Sequence, residues 1–197
     1  MRAETPDGTK LILWAGRLGI ASILALLGAA HLNAQAAPPL PEGTAPEWGA
    51  EAGYGSTVHL NRGRSVEHLV LLEPWAGFRL SSRLQYLVEA HFARYLTPLG
   101  YMVGVMPLGG RLYLGHGRAL PYLSIGGGLG WTDLTRLEEI DRRFNFLLQG
   151  SAGVRYAVSE KRAWTFEARL VHISNGGTSL PNLGLNSLVF LGGLRFR

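Results

Sequence analysis

The feature that most constrains this chain is a two-residue alternation of apolar and polar side chains through much of residues 47–197. In one segment, Leu123, Ile125, Leu129 and Trp131 share one parity, while glycine and polar residues occupy most of the other. Successive side chains of a β-strand point to opposite faces, so the alternation predicts strands with one apolar and one polar face. The sequence therefore predicts an all-β fold.

Eight segments carry this pattern. They are 47–58, 66–79, 84–92, 101–116, 121–131, 143–157, 163–174 and 186–197, with residues 107–110 interrupting the fourth. Several exceed the roughly 9–11 residues with which a tilted strand crosses a bilayer. The connections 80–83, 117–120 and 158–162 are short, whereas 59–65, 93–100, 132–142 and 175–185 are mostly longer. Short turns alternating with long loops predict an eight-stranded antiparallel transmembrane β-barrel.

The polar parity of these strands carries charged and amide side chains, which the pattern places inside the barrel. They are Glu73, Arg79, Glu89, His91, Gln149, Arg155, Glu167 and Arg169. Because an eight-stranded barrel has no open channel, we expect them to pair with one another in a filled lumen. A soluble lipocalin-like binder is the alternative, with its apolar face inside. The scarcity of lysine, with only Lys10 and Lys161 in the whole sequence, and the aromatic strand ends favour the membrane barrel.

The first 46 residues have the pattern of an export signal and a linker. Basic residues precede an apolar stretch at 18–30, and Ala34-Gln-Ala36 offers a cleavage site. This predicts a cleaved signal peptide over 1–36, because the apolar stretch is shorter than the ~20 residues of a membrane anchor. Residues 37–46, rich in proline and alanine, are predicted to be a flexible lead-in to a barrel at 47–197. The predicted location is the bacterial outer membrane.

Composition restricts the chemistry and the partners. Cysteine is absent, and the six histidines lack metal-ligand spacing, so no disulfide, metal or other cofactor is expected. The net charge is +5, but no basic run is interleaved with aromatic residues, so an anionic membrane surface is a better partner than nucleic acid. The sequence leaves open whether two copies form a homodimer.

The candidate site is a polar group on the apolar face. His172 and Ser174 lie two residues apart and share the parity of Trp164 and Phe166, and Asn186 shares that of Phe190. Polar side chains facing lipid are costly and usually have a function. A serine nucleophile needs a base, and a histidine base needs a partner that fixes its tautomer. The pattern is compatible with an esterase that takes lipid from the side, or with an ordinary turn at the headgroup level.

Two short motifs favour the esterase over the ordinary turn. His172-Ile-Ser-Asn-Gly-Gly177, followed by Pro181-Asn-x-Gly184, resembles the His-x-Ser-Asn signature of the lipid A 3-O-deacylase family. Family members are eight-stranded outer-membrane barrels that hydrolyse the ester-linked acyl chain at position 3 of lipid A. The resemblance thus implies lipid A, in the lipopolysaccharide of the outer leaflet, as substrate.

The resemblance also implies roles for individual residues. Ser174 would be the nucleophile and His172 the general base. Asn182, with the backbone near Gly177 and Asn175, would contact the oxyanion or the substrate. The family has a glutamate that orients the histidine, and the ungapped spacing puts Asn186 there.

Two further hypotheses complete the analysis of the sequence. The loop arginines Arg62, Arg64, Arg142 and Arg143 are candidates for holding the phosphates of the lipid. The alternative function is a non-catalytic barrel of the same fold, retained for adhesion or membrane integrity. The two functions differ in whether lipid A loses an acyl chain when the protein is present.

Overall fold

The computed structural model describes residues 45–58, 66–137, 139–140, 142–178 and 183–197. The strands are β1 (Glu47–Thr57), β2 (His68–Arg79), β3 (Leu84–Leu96), β4 (Leu99–Tyr113), β5 (Ala119–Thr132), β6 (Phe144–Ala157), β7 (Arg162–Ser174) and β8 (Leu185–Phe196). Each pairs antiparallel with the next, and β8 pairs with β1, so the sheet closes into a barrel. The predicted fold is confirmed. The predicted signal peptide (1–36) and most of the lead-in lie outside the described residues.

The apolar face of the barrel is its outer face. Large hydrophobic side chains alternate with buried ones along each strand and are exposed, among them Leu72, Phe92, Ile125, Leu148 and Phe166. This is the arrangement of a membrane barrel and the reverse of a lipocalin, which buries its apolar face. No helix among the described residues is long and apolar enough to cross a bilayer.

The inner face carries a balanced set of charges. All eight side chains predicted to point inward are buried, and in the described strands five buried glutamates accompany five buried arginines. Those not predicted are Glu47, Glu51, Arg111 and Arg195. Such a network can occupy a narrow lumen only because the opposite charges lie together. The lumen is therefore a filled interior.

Arg169 lies at the centre of this network. Its Nη2 is 3.1 Å from a carboxylate oxygen of Glu51 and 3.4 Å from one of Glu89. It also forms ion pairs with Glu73 and Glu167. One guanidinium thus joins glutamates from β1, β2, β3 and β7, that is, from both sides of the barrel closure.

Replacing Arg169 with methionine should therefore destabilise the barrel strongly. The change leaves the four carboxylates without their shared cation, and breaking a buried ion pair in this way costs about 3–5 kcal/mol. We expect the free energy of unfolding, measured by urea titration in lipid vesicles, to fall by about that amount. Arg83→Met, at an exposed turn position, is the matched control and should stay within about 0.5 kcal/mol of the parent. Equal stability of both variants would contradict this role of Arg169.

The connection between β3 and β4 differs from the prediction. Residues 93–100 were expected to form a long loop, but β3 continues to Leu96 and β4 begins at Leu99, which leaves only Thr97 and Pro98 between them. The prediction was wrong because the alternation continues past residue 92, with Tyr95 buried and Leu96 exposed. This corner of the barrel therefore has a tight turn.

The predicted interruption of the fourth strand is a local irregularity. β4 runs through Pro107, and its register against β5 shifts between Val105 and Leu108. A bulge places an extra residue in one strand, so a proline without an N–H can be accommodated there. The strand is thus bent rather than ended.

The loop between β5 and β6 folds over the barrel end opposite the start of β1 and the end of β8. Leu134 and Ile140 are buried in one apolar cluster with Leu147, Ile173 and Leu185. The loop is thereby attached to the outer ends of β6, β7 and β8, the part of the barrel that carries the candidate site.

Candidate active site

The candidate site lies on the outer wall, where β7 ends and β8 begins. His172 and Ser174 are partly buried on the lipid-facing side of β7, and Asn186 is exposed on the same side of β8. His172 and Asn186 are direct register partners. The start of β1 and the end of β8 are at the other end of the barrel, so the site lies at the end opposite to both.

A hydrogen bond joins the two register partners. His172 Nδ1 lies 2.8 Å from Asn186 Oδ1. An amide oxygen only accepts hydrogen bonds, so when the imidazole carries its proton on Nδ1 it donates that proton to Asn186, and the Nε2 lone pair is then available as a base. The same tautomer is required of the histidine in a Ser-His pair, whose Nε2 takes the serine proton.

Gly184 forms one wall of the histidine position. It has a positive φ of 68°, and a Cβ there would lie 2.7 Å from His172 Cε1. Glycine is therefore required both for the left-handed backbone and for the close approach of the ring. The loop residue before β8 and the Asn186 hydrogen bond together limit the orientations of the imidazole.

Ser174 is the last residue of β7 and lies beside an aromatic ring. Its register partner on β6 is Phe146, and Gly176 passes over that ring, since a Cβ at Gly176 would be 2.7 Å from Phe146 Cε2. Residues two apart on a strand are separated by roughly 7 Å at Cα, and Ser174 and His172 lie on the same face of β7. Ser174 thus lies at the boundary between the apolar outer wall of the barrel and the polar loop that follows β7.

The loop after Ser174 is shaped by Asn175. This residue is buried, and its Oδ1 accepts a hydrogen bond of 2.8 Å from the Gly177 N–H. The Gly177 amide, predicted as an oxyanion donor, is thus bonded to Asn175 in this structure. Thr178 also donates through Oγ1 to the Asn175 carbonyl at 2.9 Å. Asn175 therefore organises the turn that follows the serine.

Other predicted site residues lie outside the described residues or further along the rim. Asn182, Arg62 and Arg64 are outside the described residues. Arg142 and Arg143 line an open groove of about 590 Å³, which we call the rim groove; its other lining residues are Trp131, Thr135, Phe144 and Thr178. No sequence pattern indicated Thr135 and Thr178, which join the groove only through the folding of two separate loops. The described residues contain no cluster of His, Asp or Glu that could hold a metal.

The fold and this site define a class of protein: an eight-stranded outer-membrane barrel with a histidine, a serine and an asparagine on its lipid-facing wall. The family model for lipid A 3-O-deacylase (PagL) matches residues 63–195, which is more than half of the chain and includes all three side chains. The chain belongs to this family, as the motif resemblance predicted. A search of curated protein sequences gave no match.

Two solved structures illustrate the shared fold. The outer membrane enzyme PagL superposes with a TM-score of 0.62 at 19% sequence identity, over 74% of this chain and 97% of the other. Neisserial surface protein A (NspA) gives a TM-score of 0.59 at 16% identity, over 77% of this chain and 96% of the other. At these identities the likeness establishes the fold alone.

Proposed function

We propose that the chain is an outer-membrane serine esterase that removes an ester-linked acyl chain, the 3-O chain, from lipid A. The observation that carries this proposal is the 2.8 Å contact between His172 Nδ1 and Asn186 Oδ1 on the lipid-facing wall, beside Ser174. A histidine on the outer wall whose Nδ1 has a hydrogen-bond partner can serve as a general base for a substrate that arrives from the membrane. The family and the filled lumen support the same location for the chemistry.

The reaction would proceed in two steps. Ser174 Oγ attacks the ester carbonyl while its proton passes to His172 Nε2, which then protonates the departing sugar oxygen. Water next attacks the acyl-serine, gives a proton to His172, and releases the fatty acid and the free serine. Asn186 would hold the imidazole in place throughout.

The negative charge on the carbonyl oxygen requires hydrogen-bond donors. We assign this role to the side-chain amide of Asn182 and to the backbone amide of Gly177. The Gly177 N–H must first be released by Asn175 Oδ1. Binding of the substrate would therefore rearrange the turn after Ser174.

Export by a cleaved signal peptide over residues 1–36, with 37–46 as a flexible lead-in, belongs to the same proposal. It brings the barrel to the outer membrane and the site to the leaflet that contains lipopolysaccharide. The comparisons give no support to a homodimer, and one barrel contains the whole constellation proposed here.

Expression of the full chain tests the proposal. In a bacterium whose lipid A retains the 3-O chain, we expect lipid A to lose the mass of one hydroxyacyl group when the protein is present in the outer membrane. Mass spectrometry of extracted lipid A measures this change. Unchanged lipid A, despite a folded barrel in the membrane fraction, would contradict the enzyme.

The second candidate is a non-catalytic barrel. Asn186 favours it, because an amide cannot stabilise an imidazolium by charge as a carboxylate does. In that case the barrel would serve adhesion or membrane integrity. The same mass spectra separate the two candidates.

A further inference from the structure

The rim groove begins close to Ser174. Ser174 is paired with Phe146, and Phe144, which lines the groove, lies two residues further toward the rim on the same face of β6. At about 3.4 Å per residue, that is roughly 7 Å along the strand. Thr178, four residues after Ser174, lines the groove from the β7–β8 loop. The distance from Ser174 to the groove is thus about the width of one sugar ring, so a lipid whose ester lies at Ser174 can reach the groove with its headgroup.

The groove has a positive lining on a fixed base. Arg142 and Arg143 line it, and no acidic side chain is among its described lining residues. The Arg142 carbonyl accepts a 2.7 Å hydrogen bond from Asn145 Nδ2, and the Arg143 carbonyl accepts one of 2.8 Å from the Thr132 N–H. The backbone under both arginines is therefore attached to β5 and β6, although their side chains are exposed.

The remaining lining is aromatic. Trp131 and Phe144 are register partners on β5 and β6, and both are exposed on the lipid-facing side. The aromatic rings offer the apolar wall, and the arginines supply the charge at the rim.

We infer that the rim groove binds the phosphorylated sugar headgroup of the lipid substrate. The arginine forks of Arg142 and Arg143 hold a phosphate, and the rings of Trp131 and Phe144 support the sugar. A guanidinium can donate two parallel N–H hydrogen bonds to one phosphate. Arginine is therefore better suited to this role than lysine, whose ammonium acts as a point charge. The inference rests on the proposed esterase function and adds the feature by which the enzyme selects its lipid.

Steady-state kinetics on matched lipids test the groove. We compare lipid A with its enzymatically dephosphorylated form, using the purified full-length barrel and the Arg142→Gln/Arg143→Gln double variant. For phosphorylated lipid A, the KM of the double variant should rise about tenfold or more, since charge-assisted hydrogen bonds are lost. The kcat should change by less than about twofold, because the reacting atoms are untouched. For the dephosphorylated lipid, parent and double variant should have the same KM.

Arg136→Gln is the matched control. Arg136 is an exposed arginine of the same loop that does not line the groove, so its removal should leave both KM values at the parent level. Folding of each variant is checked by its heat-dependent migration in gel electrophoresis. Equal KM increases on both lipids, or the same increase in Arg136→Gln, would overturn the inference.

A binding assay separates this inference from the enzyme proposal. If the parent protein cleaves neither lipid, the proposed function fails, but the groove can still be examined through lipid A that copurifies with the barrel. The double variant should then retain several-fold less phosphorylated lipid than Arg136→Gln does. Equal retention would reject the groove as a headgroup site whatever the catalytic result.

Discussion

Cells that carry the Ser174→Ala protein are expected to keep their lipid A fully acylated. The substitution removes the atom that forms the acyl-enzyme in the proposed reaction. In a complete Ser-His-Asp triad, loss of the serine lowers kcat by roughly 10⁶-fold, and the loss here is smaller because Asn186 stands in place of the acid and the parent starts from a lower kcat. The hydroxyacyl mass that the parent protein removes should therefore remain in the lipid A mass spectrum, at the level of cells without the protein. The barrel itself should fold normally, because Ser174 lies at the rim and outside the charged lumen.

A second serine on the outer wall provides the control. Ser56 is partly buried on the lipid-facing side of β1, opposite Leu188 of β8. Ser56→Ala should leave deacylation unchanged, because its hydroxyl has no place in the proposed reaction. If Ser174→Ala still deacylates lipid A, Ser174 is not the nucleophile; if the two variants are equally inactive while folded, a general disturbance of the wall is the better explanation.

The fold could be predicted because the strands of a membrane barrel have a two-residue alternation of apolar and polar side chains that is visible in the local sequence. Each strand must alternate between lipid and lumen, so parity put Glu73 and Arg169 on one face and Phe166 on the other. The scarcity of lysine and the aromatic strand ends indicated that the apolar face is the outer one, and the burial of these side chains confirms it. Strand ends were harder to predict. Tyr95 and Leu96 continue the alternation of β3. Proline and glycine are common in loops, however, and the presence of Pro98 and Gly100 led to the prediction of a loop over 93–100.

The site could be predicted only in part. Parity placed His172 and Ser174 on one face, but their relation to Asn186 depends on how β7 and β8 pair, and a shift of one residue would separate them. The resemblance to a family supplied that pairing. No local pattern predicts that Trp131 and Thr178, 47 residues apart in the sequence, line one groove. Contacts between loops depend on closure of the whole barrel.

Asn186→Asp is expected to accelerate deacylation. Asparagine and aspartate have the same shape, so the carboxylate oxygen can take the place of Oδ1, 2.8 Å from His172 Nδ1. The carboxylate only accepts hydrogen bonds, which excludes the flipped amide that would donate to Nδ1 and impose the wrong tautomer. It also stabilises the imidazolium that forms when Ser174 gives up its proton. In chymotrypsin the acid and the amide differ by about 10⁴-fold in turnover, so we expect kcat to rise at least tenfold.

Two further variants separate orientation from charge. Asn186→Leu keeps the size of the side chain but accepts no hydrogen bond, so kcat should fall below that of the parent. Val58→Asp adds a carboxylate just after the end of β1, where the Val58 N–H donates a hydrogen bond to the Asn186 carbonyl, one strand further from His172. Its kcat should stay close to that of the parent, because two strand spacings, roughly 10 Å, put the new charge about one Debye length from the imidazole and out of hydrogen-bond reach. If Asn186→Asp is no faster than the parent and Asn186→Leu is fully active, the imidazole works without a partner on β8.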